Sequence, residues 1–187
     1  MSPPELSLTT HVSTWRPELP NAAAHGVKAP QSIYRSPRAL LILVAFVAMV
    51  LGVGGLIGAS NTPGPWFAAL DKPFFNPPSW VFGPVWSVLY VMIGIAGWRI
   101  FMVAPKSTAM MLWGAQMLLN WAWSPVWFGL QWLWPALVII VTLLVVIVMF
   151  YREARRVDRA AAWLLLPYAA WVSFATLLNL AIAVLNP

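Results

Sequence analysis

The sequence predicts an all-α integral membrane protein, a bundle of five transmembrane helices in one domain. Of the 187 residues, 61% are hydrophobic and only 9% are charged, whereas a soluble domain usually carries about 25% charged residues. A transmembrane helix needs roughly 20 mostly apolar residues. Five segments meet this requirement: 39–59, 80–103, 108–130, 134–151 and 160–185. The net charge of +6 is better explained by basic residues at helix ends than by nucleic-acid binding.

Residues 1–37 form a polar tail without a sustained apolar period, which predicts disorder. Its hydroxyls and arginines also fit a transit peptide, but Glu5 and Glu18 count against one, because such peptides are poor in acids. A secretory signal fits less well, since the apolar run after Arg38 is longer than the roughly 7–15 residues that a signal uses. The membrane domain is therefore predicted to span 38–187.

The first two predicted helices carry glycine and proline signals. Gly54 and Gly58 have the spacing of close helix packing, and we favour packing within the monomer over dimerisation. The second helix is expected to begin near Pro77, with Asn76 as its cap, because prolines in a first turn remove N–H groups that lack partners anyway.

Prolines also mark the later helices. Pro125 should kink the third helix or free the carbonyl of Trp121, since proline cannot donate to the preceding turn. The fourth helix begins at Trp134-Pro135 and ends at a cluster of arginines, and the fifth contains Pro167.

The distribution of basic residues predicts the orientation in the membrane. With five spans, the tail and the second and fourth loops share one side, which holds ten of the eleven basic residues, while Lys72 is alone opposite. The N-terminus should therefore face the positive-inside compartment and the C-terminus the other side. A bacterial inner membrane is the simplest location, with an outer or organelle membrane as alternatives. The ten residues are Arg16, Lys28, Arg35, Arg38, Arg99, Lys106, Arg152, Arg155, Arg156 and Arg159.

Aromatic and amide side chains recur on one face of several helices. The 13 tryptophans include some within the spans, which an interfacial aromatic belt does not explain. Trp86 and Tyr90 share a face of the second helix. Helical spacing aligns five residues of the third helix and four of the fifth. These are Trp113, Gln116, Asn120, Trp123 and Trp127, and Tyr168, Trp171, Ala175 and Asn179, with Leu178 as an alternative to the last.

These faces predict a ligand cavity. Each amide alone is best explained as an interhelical hydrogen bond, worth about 0.6 kcal/mol. Amides combined with aromatic faces on three helices instead favour a cavity for a flat, largely apolar ligand with a few polar edges.

Residues for enzyme chemistry are mostly missing. The serines in the spans have no histidine to activate them, because His11 and His25 lie in the tail, and there is no cysteine. We therefore predict no metal site. Asp71 has no second carboxylate, so Asp71-Lys72 is interpreted as a local ion pair or a loop lock rather than an acid/base couple. Any chemistry would have to come from the ligand, with Trp or Tyr as electron donors.

Three motifs together resemble the translocator protein family, also called the tryptophan-rich sensory protein or peripheral benzodiazepine receptor family. The resemblance covers residues 39–187, in order and with family spacing. The first motif is Trp66-x3-Leu70-x-Lys72-Pro73-Phe74-Phe75-Asn76-Pro77-Pro78-x-Trp80, continuing to Trp86 and Tyr90. The others are Gln116-x3-Asn120-x2-Trp123-x-Pro125-x2-Phe128-Gly129 and Pro167-Tyr168-x2-Trp171-x3-Ala175-Thr176-x2-Asn179.

The resemblance implies a five-helix bundle, usually dimeric, with a pocket beneath the first loop, residues 61–79, which we call the lid. It implies a tetrapyrrole ligand, porphyrin or haem, and in some members a sterol, another lipid or a synthetic compound. By motif position, the ligand-binding residues would be Trp86, Tyr90, Asn120, Trp123, Trp171 and Ala175, to which the same motifs add Gln116 and Tyr168. The lid residues would be Trp66, Asp71, Lys72, Phe75, Asn76, Pro77 and Pro78.

Three functions follow from the resemblance. The first is a tetrapyrrole-binding receptor or sensor that needs no cofactor. The second is a light-dependent enzyme that breaks down porphyrin, with Trp86 and Trp171 as candidate catalytic residues. The third is a porphyrin or sterol transporter, although no internal repeat or charged relay supports it.

The sequence departs from the family at two places. Phe74-Phe75 replaces a tryptophan pair that is common in bacterial members, which retains stacking but removes a tryptophan radical there. The segment after Asn179 lacks the Tyr and Arg of the animal sterol motif, so sterol binding through that motif is not expected.

Overall fold

The computed structural model describes residues 31–187. Every regular element in this part of the chain is helical, which confirms the all-α class. The α-helices are α1 (Pro37–Ser60), α2 (Pro65–Ala69), α3 (Phe82–Val103), α4 (Thr108–Ser124), α5 (Leu133–Val157), α6 (Arg159–Leu164) and α7 (Leu166–Leu185). Short 3₁₀ turns cover Gln31–Tyr34 and Ser79–Val81, and a π-helical turn covers Pro125–Gly129.

Four helical segments of the described residues are long and apolar enough to cross a membrane. They are Pro37–Ser60, Ser79–Val103, Leu133–Val157 and Arg159–Leu185. The remaining predicted span, 108–130, corresponds to α4, which has 17 residues, and the π turn that continues it. The multi-pass membrane character is therefore confirmed, while the fifth span stays a prediction.

The start of α3 corrects one prediction. The helix begins at Phe82, after a 3₁₀ turn, and not near Pro77 with Asn76 as its cap. Helical backbone geometry is unfavourable for a residue that precedes proline. Asn76 and Pro77 each precede a proline. Pro78 continues this extended path with φ −57° and ψ 142°.

Pro125 and Pro167 change the course of the helices that contain them. At Pro125 the α-helix becomes a π turn, and the Leu130 N–H donates to the Pro125 carbonyl at 2.8 Å. The predicted kink is therefore a change of helical pitch. The predicted helix 160–185 is interrupted at Leu165, between α6 and α7, because Pro167 has no N–H to continue the hydrogen-bond ladder from α6.

Close packing pairs α1 with α3, while α4 and α7 both lie along α5. A Cβ at Gly94 would lie 3.0 Å from the Cα of Val47, so only glycine permits this approach of α3 to α1. The Trp113 indole of α4 lies against Gly97 and donates to the Ile93 carbonyl at 3.0 Å. The Trp113 N–H thus has a backbone acceptor in the core, as a buried tryptophan usually does.

Long-range contacts define the two ends of the bundle. At the basic end, Tyr34 Oη donates to Asp158 Oδ2 at 2.8 Å, and the Tyr34 ring lies 5.2 Å from that of Trp98. The last residues of the predicted tail therefore pack on the bundle, while residues 1–30 lie outside the described residues. At the opposite end, the lid meets the end of α7 through Asp71 and Asn186.

Candidate functional site

A cavity of about 910 Å³ lies in the half of the bundle that adjoins the lid. Its walls come from α1, α3, α4, α5, α7, the π turn and the lid. Small-molecule sites in proteins typically enclose about 300–1,000 Å³. The volume therefore suits a ligand of substantial size.

The structure brings six of the eight predicted ligand-binding residues to the wall of this cavity. They are Trp86, Tyr90, Asn120, Trp123, Trp171 and Ala175. Gln116 and Tyr168 are instead fully buried and lie behind the wall rather than in it. The residues of these helical stripes therefore lie partly in the cavity wall and partly in the core, because a stripe continues past the end of the cavity.

Several aromatic rings lie in the cavity wall. The rings of Trp123 and Trp127 stack with centroids 5.7 Å apart and planes 19° from parallel. Trp86 and Tyr90 are tilted neighbours at 5.2 Å. Trp171 meets Phe82 edge to face at 5.8 Å. Such pairs hold one another in place, so the walls are preorganised.

A chain of hydrogen bonds joins three helices behind these rings. Tyr90 Oη of α3 donates to Asn120 Oδ1 of α4 at 3.1 Å, and Asn120 Nδ2 donates to Tyr168 Oη of α7 at 3.0 Å. A second link runs from Trp123 Nε1 to Asn179 Oδ1 at 3.1 Å. Tyr168 therefore supports the cavity by holding Asn120, without reaching the cavity itself.

Five buried side chains carry polar atoms without partners among residues 31–187: Asn76, Arg99, Gln116, Trp121 and Trp171. The Trp171 Nε1 donates to no acceptor there and is itself buried, although other atoms of Trp171 line the cavity. Both amide atoms of Gln116 are also without partners. Because Gln116 lies behind the wall, its amide is a cost to stability rather than a binding group.

The lid covers the cavity with some of its predicted residues and anchors itself with others. Lys72, Asn76, Pro77 and Pro78 line the cavity. Trp66, Asp71 and Phe75 do not. The rings of Trp66 and Trp127 lie 6.5 Å apart, and those of Phe75 and Phe174 lie 6.3 Å apart.

Asp71 and Lys72 form no ion pair in the described structure. The predicted ion pair is wrong, and the loop lock is made differently. Lys72 Nζ donates to the carbonyls of Ala68 at 3.1 Å and Leu70 at 2.9 Å, and lies 4.9 Å from the centre of the Phe67 ring. These contacts fold the lid back on α2, because one ammonium group satisfies the exposed carbonyls at the end of that helix.

Several wall residues were not predicted as ligand-binding. The predicted stripe of the third helix includes Trp127, although the predicted ligand-binding set does not, and Phe128 is its neighbour in the chain. Ile140 and Leu143 come from α5, and nothing in the sequence distinguishes them from aliphatic residues that face lipid.

Three glycines of α1 also belong to the cavity wall, although the sequence did not predict them as ligand-binding residues. Gly54, Gly55 and Gly58 line the cavity. A Cβ at Gly54 would overlap the Tyr90 ring, whereas Gly58 has open space beside it. Of these three glycines of α1, Gly54 is the one that packs closely against another helix of the monomer.

Comparisons with known proteins agree on one family. Residues 41–185 match the model of the TspO/MBR family. The chain is 39% identical to "Tryptophan-rich protein TspO" of Chlorobaculum tepidum over 79% of this chain and 98% of that protein. It is 30% identical to "Tryptophan-rich sensory protein" of Cereibacter sphaeroides over 74% and 87% of the two chains. It is 34% identical to "Translocator protein" of Bos taurus over 68% and 80%.

Proposed function

Because the chain belongs to the TspO/MBR family, we propose that it is a membrane receptor or sensor that binds a flat tetrapyrrole in the cavity beneath the lid. The observation that carries this proposal is the lining, in which Trp86, Trp123, Trp127 and Trp171 surround about 910 Å³. A tetrapyrrole has broad apolar faces, and aromatic side chains stack on such faces. The name of the Cereibacter sphaeroides relative, a sensory protein, supports the same proposal.

The polar groups of the cavity suit the edge of such a ligand. Lys72 is the charged residue of the lining within the described chain. Its ammonium carries three N–H donors, and two of them are directed at the Ala68 and Leu70 carbonyls. The remaining donor can pair with a carboxylate of a porphyrin.

Binding should depend on stacking and not on iron. Neither His nor Cys occurs between residues 31 and 187, so the lining lacks the usual imidazole or thiolate ligand of haem iron. We therefore expect metal-free protoporphyrin to bind at least comparably to haem. A His-ligated haem spectrum would contradict this expectation.

For the membrane arrangement, we propose five spans, with α4 and its π turn as the third. The basic end would face the positive-inside compartment, the lid the opposite side, and the membrane would be a bacterial inner membrane. The chain would form a homodimer, as the resemblance implies. Single-cysteine variants Ala68→Cys and Arg155→Cys test the orientation, since an impermeant thiol reagent should label them from opposite sides. Labelling of both from one side would reject it.

A fluorescence titration tests ligand binding directly. Protoporphyrin should quench tryptophan emission in the dark and saturate. The Trp123→Leu variant should weaken binding by up to about tenfold, because a stacked aromatic pair contributes about 0.5–1.5 kcal/mol. Trp163→Phe is the matched control, since Trp163 is exposed on α6 and does not line the cavity. Absence of saturable quenching would refute the proposal.

Trp171 favours a second candidate, light-dependent oxidative breakdown of bound porphyrin. Its indole lines the cavity, packs between Phe82 and Phe174 with centroids at 5.8 and 5.6 Å, and has an unpaired N–H within the described structure. Such an indole can donate an electron to an excited ligand. Under light and air the porphyrin absorption band should decay, and Trp171→Phe should bind in the dark without this decay. A wild-type complex that is stable to light would exclude this candidate.

A further inference from the structure

The end of α7 holds the lid through a pair of hydrogen bonds between one side chain and one backbone position. The Asp71 N–H donates to Asn186 Oδ1 at 3.0 Å, and Asn186 Nδ2 donates to the Asp71 carbonyl at 3.0 Å. The same Nδ2 donates to the Ile182 carbonyl at 2.8 Å, within the last turn of α7. All the polar atoms of the Asn186 amide are therefore engaged, and we call this arrangement the clasp.

The clasp acts on the half of the lid that covers the cavity. The first half, around Phe67, is held by packing against Phe128 of the π turn, with ring centroids 5.5 Å apart. The second half begins at Asp71 and contains the cavity-lining residues 72 and 76–78. Its hydrogen bonds and ring contacts beyond the lid go to Asn186, which caps the end of α7, and to the ring of Phe174 in α7. Release from α7 would therefore free the part of the lid that closes the cavity.

The closed lid also contains a group that favours opening. The Asn76 Oδ1 is buried without a hydrogen-bond partner in the described part of the chain, and an unpaired buried acceptor costs free energy that contact with water would recover. Phe74, on the same segment, is fully exposed, and its ring contacts that of Phe75 within the lid, with centroids 5.4 Å apart. Within the described residues, the clasp supplies two hydrogen bonds that join this segment to the end of α7.

We propose that Asn186 is a positioning residue that controls access to the cavity by latching the lid to α7. It determines how often the segment from Asp71 to Pro78 opens, and so how fast a ligand enters and leaves. The inference rests on the proposed function for the identity of the ligand. The latch itself is tested without any porphyrin.

The absence of cysteine from the chain allows a direct assay of opening. In an Ala175→Cys background, the single thiol lies in the cavity wall, and its reaction rate with an aromatic maleimide reports opening. Loss of the two clasp bonds in Asn186→Ala should raise this rate by about tenfold. Asn186→Asp should raise it as well, because a carboxylate oxygen then replaces the Nδ2 donor and faces the Asp71 and Ile182 carbonyls, which only accept. Pro187→Ala is the matched control, since it changes the neighbouring position and no clasp atom.

Two further measurements separate latching from a loss of folding. A thiol at Ala162, which is fully buried in α6 and does not line the cavity, should react at the same slow rate with and without Asn186→Ala, whereas general loosening would accelerate both thiols and overturn the proposal. Hydrogen exchange at the Asp71 amide should accelerate in Asn186→Ala. Equal Ala175→Cys labelling in the Asn186→Ala and Pro187→Ala variants would also overturn the latch. Failure of protoporphyrin to bind would leave these thiol results unaffected and would refute only the proposed function.

Discussion

Arg99 Nη2 lies 2.9 Å from Asp158 Oδ2, and the two side chains are 25% and 7% exposed. The contact joins α3 to the junction of α5 and α6. The same carboxylate accepts the Tyr34 hydroxyl and, through Oδ1, the Ala161 N–H of α6 at 3.1 Å. One side chain thus links the chain before α1, α3 and the start of α6, so its removal should affect the whole basic end.

Asp158→Asn should lower the free energy of unfolding by about 1–3 kcal/mol, because it leaves the mostly buried Arg99 charge without its partner. Asp158→Ala should cost more, since it also removes the cap of α6. Glu153→Gln is the matched control, because the Glu153–Arg156 pair is more exposed and should contribute under about 1 kcal/mol. Thermal unfolding in detergent measures all three, and equal effects of Asp158→Asn and Glu153→Gln would contradict the assignment.

The same cluster predicts a loss of stability in acid. Burial alone would raise the pKa of Asp158, but hydrogen bonds from Arg99, the Ala161 N–H and Tyr34 outweigh it and hold this pKa below the ordinary 3.8. A carboxyl whose pKa is lowered by folding stabilises the fold at any pH above its ordinary pKa. This contribution disappears as the pH falls through the pKa of the folded state. Unfolding temperature measured against pH should therefore drop below pH 3.8. The drop should be smaller in Asp158→Asn.

Tyr34 predicts a loss of stability in alkali. Burial, reinforced by the hydrogen bond to Asp158, raises the pKa of Tyr34 from 10.0 to about 12. A phenol whose pKa is raised by folding contributes to stability, and this contribution is fully present below pH 10.0. The contribution is lost as the pH rises through the pKa of the folded state. Tyr34→Phe should remove this alkaline step and keep the ring beneath Arg99, whose guanidinium carbon lies 4.6 Å from the ring centre. An unchanged alkaline limb in that variant would contradict the role of Tyr34.

Gln116→Leu should stabilise the protein by about 1–2 kcal/mol, because it replaces a fully buried amide without partners by an apolar side chain of similar size. Since Gln116 does not line the cavity, protoporphyrin affinity should be unchanged. Asn120→Leu is the contrast, because it breaks the links to Tyr90 and Tyr168 and should destabilise. Thermal unfolding and titration of both variants test this, and lower stability in Gln116→Leu would point to an unseen partner for its amide.

Gly54→Ala and Gly58→Ala should differ although both glycines lie on α1. The added Cβ at Gly54 overlaps the Tyr90 ring, and overpacking of this kind costs about 1–3 kcal/mol and should displace Tyr90 from the cavity wall. At Gly58 there is open space, so alanine should stabilise the helix by up to about 1 kcal/mol. Thermal unfolding compares them. A strong loss in Gly58→Ala, together with monomerisation, would favour the dimer interpretation of this glycine pair.

Much of the site could be predicted from the sequence because helical spacing is local. Steps of three and four along α4 bring Asn120 and Trp123 to one face wherever the helix packs. The same rule cannot tell where a stripe leaves the cavity, and for this reason Gln116 was expected in the wall and lies behind it. The predicted start of α3 is wrong for a different reason. Residues before proline prefer an extended backbone, and this preference outweighs the benefit of proline in a first helical turn.

The sequence by itself determined the membrane character, the order of the spans, the concentration of charge at one end and the aromatic faces. These follow from apolar length and helical period, which each segment carries alone. Only the tertiary structure decided that Ile140 and Leu143 complete the cavity, that Asp158 joins Tyr34 to Arg99, and that Asn186 clasps Asp71. Asp71 and Asn186 are 115 positions apart in the chain, and such a contact depends on how the helices pack together, which no local pattern encodes.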